Sequence, residues 1–428
     1  MPNTSLYLHP RDELLQAMER IYRYRMTTTS GGNLSLREPN GDVWITPARV
    51  DKGGLHRDDI VRVRPSGEVD GVRTPSSELP IHQQIRERRP ELSGIVHAHP
   101  VALVAFSLAH EVPNTRLFHQ AWRTCGAVGF APYKLPGSKA LGAIVADTFE
   151  QGFDCVILEN HGVVTAGVSL QEAFRRFETL EFTAKTIIKA RLLGGDVRFL
   201  SREELELESR RPALEEAPAE SPSSGENEVR RKLSEFIRRA YRQRLFISTQ
   251  GSYSARVDTS SFVITPYQVD RGVVEVDDLV SVRDGRAEAG KQPSRAAGVH
   301  AEIYRQHPEV GAIVNAYPVN ATAFSVTGLP LETRTIPESY VVVREVARAE
   351  YGLQFGDGRE LASIIGSRRP AVILENDGVL VTGADVLEAF DRLEVLESTA
   401  EAIINCRAVG PMKPLDDEVT RELDAAFF

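Results

Sequence analysis

Residues 45–63, running Ile45-Thr46-Pro47-Ala48-Arg49-Val50-Asp51-Lys52 and on to Asp58-Asp59-Ile60-Val61-Arg62-Val63, return at 264–282. There they read Ile264-Thr265-Pro266-Tyr267-Gln268-Val269-Asp270-Arg271 and on to Asp277-Asp278-Leu279-Val280-Ser281-Val282. Further along, Leu158-Glu159-Asn160-His161-Gly162 returns as Leu374-Glu375-Asn376-Asp377-Gly378. A long internal repeat constrains a chain more than any local pattern, because each copy must bury its own core. The 428 residues therefore make two domains, in line with the usual ~150 residues per domain. The first spans 1–208 and the second 229–428. Between them, 209–228 is rich in Pro, Ser and Glu and has too little apolar surface to offset the entropy of ordering, so it reads as a linker.

Inside each copy, helical and strand patterns alternate. Ser169-Leu170-Gln171-Glu172 has the spacing of a capping box. It opens a run with Ala173, Phe174, Phe177, Leu180, Ala184, Ile187 and Ile188 at helical spacing, which predicts about six turns ending near Gly194-Gly195. The second copy repeats that face from Glu388 to Ile404. Val43–Thr46, Gly94–Ala98 and Cys155–Leu158, bounded by Gly, Pro and Asn, predict strands, and Ser77–Arg89 predicts a helix stopped by Pro90. Interleaved elements of both kinds give an α/β domain with helices against a sheet.

Composition excludes several functions. A net charge of -9 leaves no positive field for nucleic acid or an anionic membrane. No apolar run approaches the roughly 20 residues that cross a bilayer, and the start Met1-Pro2-Asn3-Thr4-Ser5 lacks the basic and apolar regions of a signal peptide. The expected location is cytoplasmic. Cys125, Cys155 and Cys406 are odd in number and far apart, which argues against a disulfide framework, and Cys155 in Cys-Val-Ile-Leu reads as a packing residue.

The two copies differ where chemistry would sit. His97 and His99 stand two apart on a predicted strand, so both rings leave the same face and can reach one ion. His161 follows an apolar strand and precedes Gly162, where a turn can present it. Three histidines with an open position suit a catalytic, zinc-type ion. In the second copy these places hold Asn315, Tyr317 and Asp377, although Pro318, Glu375, Asn376 and Gly378 keep the frame. Glu78, at the predicted helix start, is lost with them and becomes Ala296. A carboxylate that disappears together with three ligands is a fourth ligand or a proton-transfer group. His82 is matched by His300 in the copy without the set, and so reads as structural. The loop Ser30-Gly31-Gly32-Asn33 offers close backbone approach to an anion, with Ser76, Ser77, Arg49, Lys52, Lys134 and Lys139 as further donors.

Gly32-Asn33-Leu34-Ser35-Leu36-Arg37, Ile45-Thr46-Pro47, Ser76-Ser77-Glu78, His97-Ala98-His99-Pro100 and His161-Gly162, in this order, resemble the class II aldolase and adducin head-domain family. The resemblance covers 9–208 with full motifs and 229–407 as a degenerate copy. It implies two three-layer α/β/α domains, each around a mostly antiparallel sheet. It implies one divalent ion per chain on His97, His99 and His161, zinc first, with Mn2+, Co2+ or Mg2+ as alternatives. Glu78 would move protons, and Gly32, Asn33, Ser76 and Ser77 would hold a substrate phosphate. The implied reaction is aldol cleavage or decarboxylation of a small hydroxy-carbonyl compound through a metal-stabilised enediolate. The alternatives are an epimerase or dehydratase on the same scaffold, or a non-catalytic, adducin-like interaction module. Ala48-Arg49 depart from the small residue and Gly usual after Ile-Thr-Pro in sugar-phosphate members, and Arg49 could bind phosphate or carboxylate instead. The family's four-fold rings imply a homodimer of two-domain chains that imitates a tetramer. Phe118, His119 and Tyr340 are candidates to reach a neighbouring site.

Overall fold

The computed structural model describes residues 8–207, 214–218 and 221–428. It divides into two compact units, Met1–Thr115 with Gln120–Lys185, and Arg116–His119 with Thr186–Phe428.

Helix α1 (Pro10–Arg23) starts on a proline, carries Asp12 and Glu13 in its first turn and Arg20 and Arg23 in its last, and buries Leu14, Ala17, Met18 and Ile21 along one face. Eight strands follow in chain order: β1 (Asn33–Arg37), β2 (Val43–Ile45), β3 (Val61–Val63), β4 (Val69–Asp70), β5 (Gly94–Ala98), β6 (Gly129–Ala131), β7 (Cys155–Leu158) and β8 (Gly162–Gly167). Between and after them run α2 (Leu79–Arg88), α3 (Val101–Leu108), α4 (His119–Cys125), α5 (Lys139–Glu150) and α6 (Leu170–Leu193). The sheet order is β4-β3-β2-β1-β5-β8-β7-β6, antiparallel throughout except for the β6–β7 pair.

On one face, Ile81 and Ile85 of α2 and Leu141, Val145 and Phe149 of α5 pack on Ile95, Val156, Leu158, Val164 and Ala166 of the sheet. Each such fully buried side chain contributes roughly 1.5–3 kcal/mol. Helices α1, α3 and α6 cover the other face, completing three layers. The expected six-turn helix is α6. Its capping hydroxyl, Ser169 Oγ, accepts from Glu172 N at 3.1 Å, while the Glu172 carboxylate reaches one residue further back and accepts from Val168 N at 2.9 Å.

In the second unit, α7 (Arg202–Glu206) precedes the nine strands β9 (Glu216–Ala217), β10 (Ser252–Arg256), β11 (Ser261–Ile264), β12 (Val280–Arg283), β13 (Arg286–Glu288), β14 (Ala312–Ala316), β15 (Val346–Ala349), β16 (Ala371–Leu374) and β17 (Val379–Gly383). Their order is β15-β16-β17-β14-β10-β11-β12-β13-β9, the same core topology as the first sheet with one added edge strand. Helices α8 (Ser224–Arg242), α9 (Ala297–Gln306), α10 (Val319–Ser325), α11 (Arg359–Ile364), α12 (Val386–Val409) and α13 (Asp417–Phe427) complete the unit. Among the described residues, no helix is long and apolar enough to cross a membrane.

The segment 209–228 departs from the expected linker. Residues 209–213 and 219–220 lie outside the described residues, but Glu216–Ala217 pairs in parallel with Arg286–Glu288. Helix α8 begins at Ser224, where Ser223 caps Glu226 N. The reason is electrostatic: Glu226 is buried and accepts from Arg230, 2.8 Å away, and from Arg283, so acidic residues that look solvated are part of an ion-pair network.

Lys52 also departs from expectation. It is 3% exposed and its ammonium donates to Pro47 O at 2.6 Å, fixing the Ile45-Thr46-Pro47 segment rather than offering charge to a ligand. In the second copy Arg271 does the same to Pro266 O at 3.0 Å. Burial pushes the Lys52 ammonium down to about 8. Below that pH the fold carries a charge it disfavours, and the penalty is relieved as pH rises from about 8 toward the unfolded value near 10.5. Thermal unfolding of wild type and Lys52→Met at pH 7 and pH 10 checks this. Wild type should gain on the variant at the higher pH, by up to about 3 kcal/mol, and a pH-independent difference would contradict it.

Candidate metal centre

The register of β5 sets the centre. Residues two apart on a strand share a face, so Ile95, which packs under α2, puts His97 on the same side. The first residue before α2 is Glu78, its N-cap, so the start of that helix hangs over the end of β5. Glu78 Oε2 lies 3.1 Å from His97 Nε2, and Oε1 lies 3.6 Å from His161 Nε2. His99, one residue past the strand, brings its Nε2 to 3.1 Å from His97 Nε2. The ligand atoms of His97, His99 and His161 all fall within 4.8 Å of one another.

His161 arrives by a tight turn. Asn160 adopts φ 52°, a left-handed conformation that asparagine tolerates, and a Cβ on Gly162 would stand 2.6 Å from Ala98 O and 2.7 Å from the His99 ring. Only glycine lets the two ligand-bearing segments approach this closely. His97 is completely buried, and its Nδ1 is 2.9 Å from Val163 O. Donation from Nδ1 to that carbonyl leaves the Nε2 lone pair pointing into the cluster.

Burial, then the neighbouring His97 and His161, hold His99 down to about 3, and burial and His97 hold His161 down to about 4. Both rings are neutral donors at neutral pH. Burial alone would lower His97, but the Glu78 carboxylate and the Val163 carbonyl reverse that and raise it. Burial would likewise raise Glu78, yet His97, His161 and Asn33 together hold it well below the usual carboxylate range.

These residues fit a divalent cation. Three imidazole nitrogens and a carboxylate converge, and Glu78 Oε1 is buried without a hydrogen-bond partner. Lone pairs packed this closely are mutually repulsive unless a cation or shared protons lie among them.

Behind the carboxylate runs a chain of hydrogen bonds that the sequence did not reveal. Asn33 Nδ2 donates to Glu78 Oε2 at 2.8 Å. Its Oδ1 meets His82 Nε2 at 2.5 Å, and His82 Nδ1 meets Ser35 Oγ at 2.6 Å. Burial pushes His82 well below its ordinary value, so the ring is neutral and bridges two polar groups. Both ends of the Asn33 amide are engaged within the protein. The sequence signal for this chain was only that a buried carboxylate needs donors.

Of the remaining candidates, the turn that carries Arg49 lies against the segment that leads into Ser76 and Ser77, since Ala48 N donates to Thr74 O at 3.0 Å. A Cβ on Gly32 would stand 2.8 Å from His97 O, so this glycine is required by packing against β5. Ser76 N donates to Thr46 O at 3.2 Å, and Ser76 Oγ accepts from Glu78 N at 3.3 Å, which places Ser76 beside the cluster. Ser77 is exposed, next to the loop containing Gly137. Arg49 is exposed at φ 54° on the turn after Pro47, while Lys134 and Lys139 are exposed beyond β6.

In the second copy the corresponding place satisfies itself. Tyr317 OH donates to Asp377 Oδ1 at 2.8 Å, His300 Nε2 meets Asn315 Oδ1 at 2.6 Å, and Ser252 bonds Ser294.

The sequence profile of the family described as "Class II Aldolase and Adducin N-terminal domain" matches residues 12–188 and again 231–404, so the chain belongs to that family, with both copies being members. L-fuculose phosphate aldolase of Methanococcus vannielii is 32% identical over 178 residues, covering 40% of this chain and 92% of that protein. The 3-oxo-tetronate 4-phosphate decarboxylase of Escherichia coli is 30% identical over 200 residues, covering 46% of this chain and 92% of its own. Among solved structures, an L-fuculose 1-phosphate aldolase aligns at 29% identity with a TM-score of 0.43, covering 46% of this chain and 93% of that one.

Asn33→Ser installs the residue that the second copy carries at Ser252. Calorimetric titration with zinc should show binding kept within about tenfold, because Asn33 steadies Glu78 and touches none of the three imidazoles. Complete loss of zinc binding would show that Glu78, held by Asn33, is an obligatory ligand.

Proposed function

We propose that the chain is a divalent-metal-dependent lyase that cleaves a carbon-carbon bond, by aldol cleavage or decarboxylation, in a small phosphorylated hydroxy-carbonyl substrate. The observation that carries this is the convergence of His97, His99, His161 and Glu78 in one copy, set against Asn315, Tyr317, Asp377 and Ala296 in the other. The two curated relatives are named as acting on phosphorylated compounds, which supports the same substrate class here.

His97, His99 and His161 would hold the ion, zinc first. A bound dication supplies Lewis-acid stabilisation of the negative charge that bond cleavage leaves beside a carbonyl. The protein's own part is orientation and proton transfer. The bond from His97 Nδ1 to Val163 O fixes the ring and its tautomer. Glu78, ionised at neutral pH and held by Asn33, takes a proton from the substrate or returns one, with Oε1 as the available atom. Ser76, Ser77 and Arg49 bind the phosphate, with Gly32 shaping the loop beside them. Because the Asn33 amide is already engaged at both ends, its role is to position Glu78. Each chain carries one ion, acts in the cytoplasm, and pairs with a second chain to form a ring of four domains.

Elemental analysis of dialysed wild type should give one ion per chain, and two ions would overturn the assignment to the first copy alone. His97→Ala should lose both the ion and turnover in a screen of ketose phosphates and hydroxy-keto acids. Glu78→Gln should keep the ion and lose roughly 10²–10⁴-fold in turnover. Equal turnover by wild type and His97→Ala would sink the metal mechanism, and failure of wild type to bind any divalent ion would favour an adducin-like interaction module.

A further inference from the structure

The second unit contains a docked hook, and a counterpart of it that stands exposed. The hook is built from Arg116–His119 and Arg198–Leu200, clipped together by Leu200 N donating to Arg116 O at 2.8 Å. It seats on the corner where Asn376, at φ 45°, precedes Asp377. Asn376 Nδ2 donates to Leu117 O at 3.0 Å and to Arg198 O at 2.9 Å, and the Arg198 guanidinium donates back to Asn376 Oδ1 at 2.5 Å. Arg198 N also donates to Val326 O at 2.9 Å, and the His119 ring meets Phe355 at 4.9 Å. As a result Leu117, Phe118, His119, Val326, Phe355 and Asn376 are all buried.

The second copy builds the same hook. Leu415 N donates to Arg334 O at 2.7 Å, so Arg334–Pro337 and Lys413–Leu415 repeat the clip of Arg116–His119 and Arg198–Leu200. Yet Ile336, the counterpart of buried Phe118, is 50% exposed, and Pro337 and Lys413 are exposed with it. The first copy in turn offers the same corner uncovered. Asn160, at φ 52°, stands where Asn376 does, and its N–H donates to Ser107 O as Asn376 N does to Ser325 O. Here the apolar surroundings face solvent: Leu108, the counterpart of buried Val326, is 59% exposed, and Tyr133 and Leu135, the counterparts of Tyr351 and Leu353, are 53% and 67% exposed.

We propose that the hook Arg334–Pro337 with Lys413–Leu415 of one chain seats on the Asn160 corner of a second chain, reciprocally, so that two chains close on each other through two such contacts. The occupant is a second copy of this chain, because a docked example of the same hook on the same corner exists within the second unit. By that example, Asn160 Nδ2 donates to the Thr335 and Lys413 carbonyls of the neighbour, and Lys413 N donates to Leu108 O. Asn160 is next to His161, so the neighbour holds the turn that presents the third imidazole. This rests on the proposed two-chain ring and names its surfaces. Thr335 through Lys413, rather than Phe118 or His119, would thus lie closest to a neighbour's centre, since Phe118 and His119 are buried within their own chain.

A cysteine pair tests it. A backbone hydrogen bond such as Arg198 N to Val326 O holds two Cα atoms within roughly the 4.4–6.8 Å that a disulfide accepts. Leu108→Cys with Lys413→Cys, treated with oxidised glutathione, should therefore give a linked dimer on a non-reducing gel, and either single variant should not. Arg198→Cys with Val326→Cys should link within one chain and serves as the control. Monomers alone from the first pair would overturn the proposal, and a ladder of longer species would overturn the closed pair. Ile336→Asp should sediment as a monomer and bind zinc about tenfold more weakly; unchanged sedimentation would also overturn it. The same linkage in a His97→Ala background, which lacks the ion, separates this proposal from the metal mechanism. Linkage without metal leaves the interface standing on its own, and metal without linkage removes only the interface.

Discussion

The pairing of β5 with β1 on one side and β8 on the other is the constraint on which the centre depends. It sets Asn33 opposite His97, and His97 opposite Val164. Because side chains alternate along a strand, a slip of one residue would send His97 to the other face of the sheet and bring Val96 to the start of α2. Ile95 packs with Val156, Val164 and Ala166 under α2 and α5, and a slip of β5 would take it out of that layer, which makes the slip costly. Core packing thus fixes the register, and the register aims His97 at the cluster.

The second copy shows that the frame forms without the histidine cluster. Ser252 stands opposite Asn315, and Asn315 opposite Leu380, in the same register as Asn33, His97 and Val164. What changes is how the buried polar atoms are satisfied. A cluster of nitrogen lone pairs and a carboxylate is replaced by pairs that close on themselves, Tyr317 with Asp377 and His300 with Asn315. A buried donor or acceptor left unpaired costs about 1–3 kcal/mol, so a copy without the histidines and without such partners would be less stable. Tyr317 fits because its hydroxyl is a neutral donor to the carboxylate that took the place of His161.

Much of this was legible in the sequence, because a duplicated chain marks differences against its own background. The α/β class, α6 and the grouping of Glu78 with three histidines all follow from spacing and from comparing the copies. The comparison is blind to a residue that both copies keep. His82 reads as structural because His300 matches it, yet His82 holds Asn33 while His300 holds Asn315, so one buried ring serves two different partners. Lys52 as a ligand donor, and the Glu-rich segment 209–228 as a linker, are wrong readings for a related reason. A charge looks solvated in sequence, and only the fold shows that Pro47 O or Arg230 lies within hydrogen-bond distance. Gly32 reads from sequence as part of an anion loop, and the close passage of His97 O adds a packing reason for a glycine there that the sequence does not show.

The same reasoning explains why a degenerate copy would persist. A domain kept only as ballast would be free to lose surface features first, since surface substitutions away from special contacts usually change stability by less than about 0.5 kcal/mol. Instead the clip between Leu415 and Arg334 repeats that between Leu200 and Arg116, while the histidine positions differ between the copies. Ile336 remains apolar in the open at 50% exposure, and Leu108 and Leu135 remain so on the other copy. Single exposed apolar residues need no explanation. These three occupy positions whose equivalents are covered: Phe118, within the docked hook, and Val326, whose carbonyl accepts from Arg198 N, are buried, and Leu353 is partly buried against the core. Both copies therefore build a hook and a corner; the hook that stands exposed belongs to the second copy, and the corner that stands open belongs to the first, beside the histidine cluster.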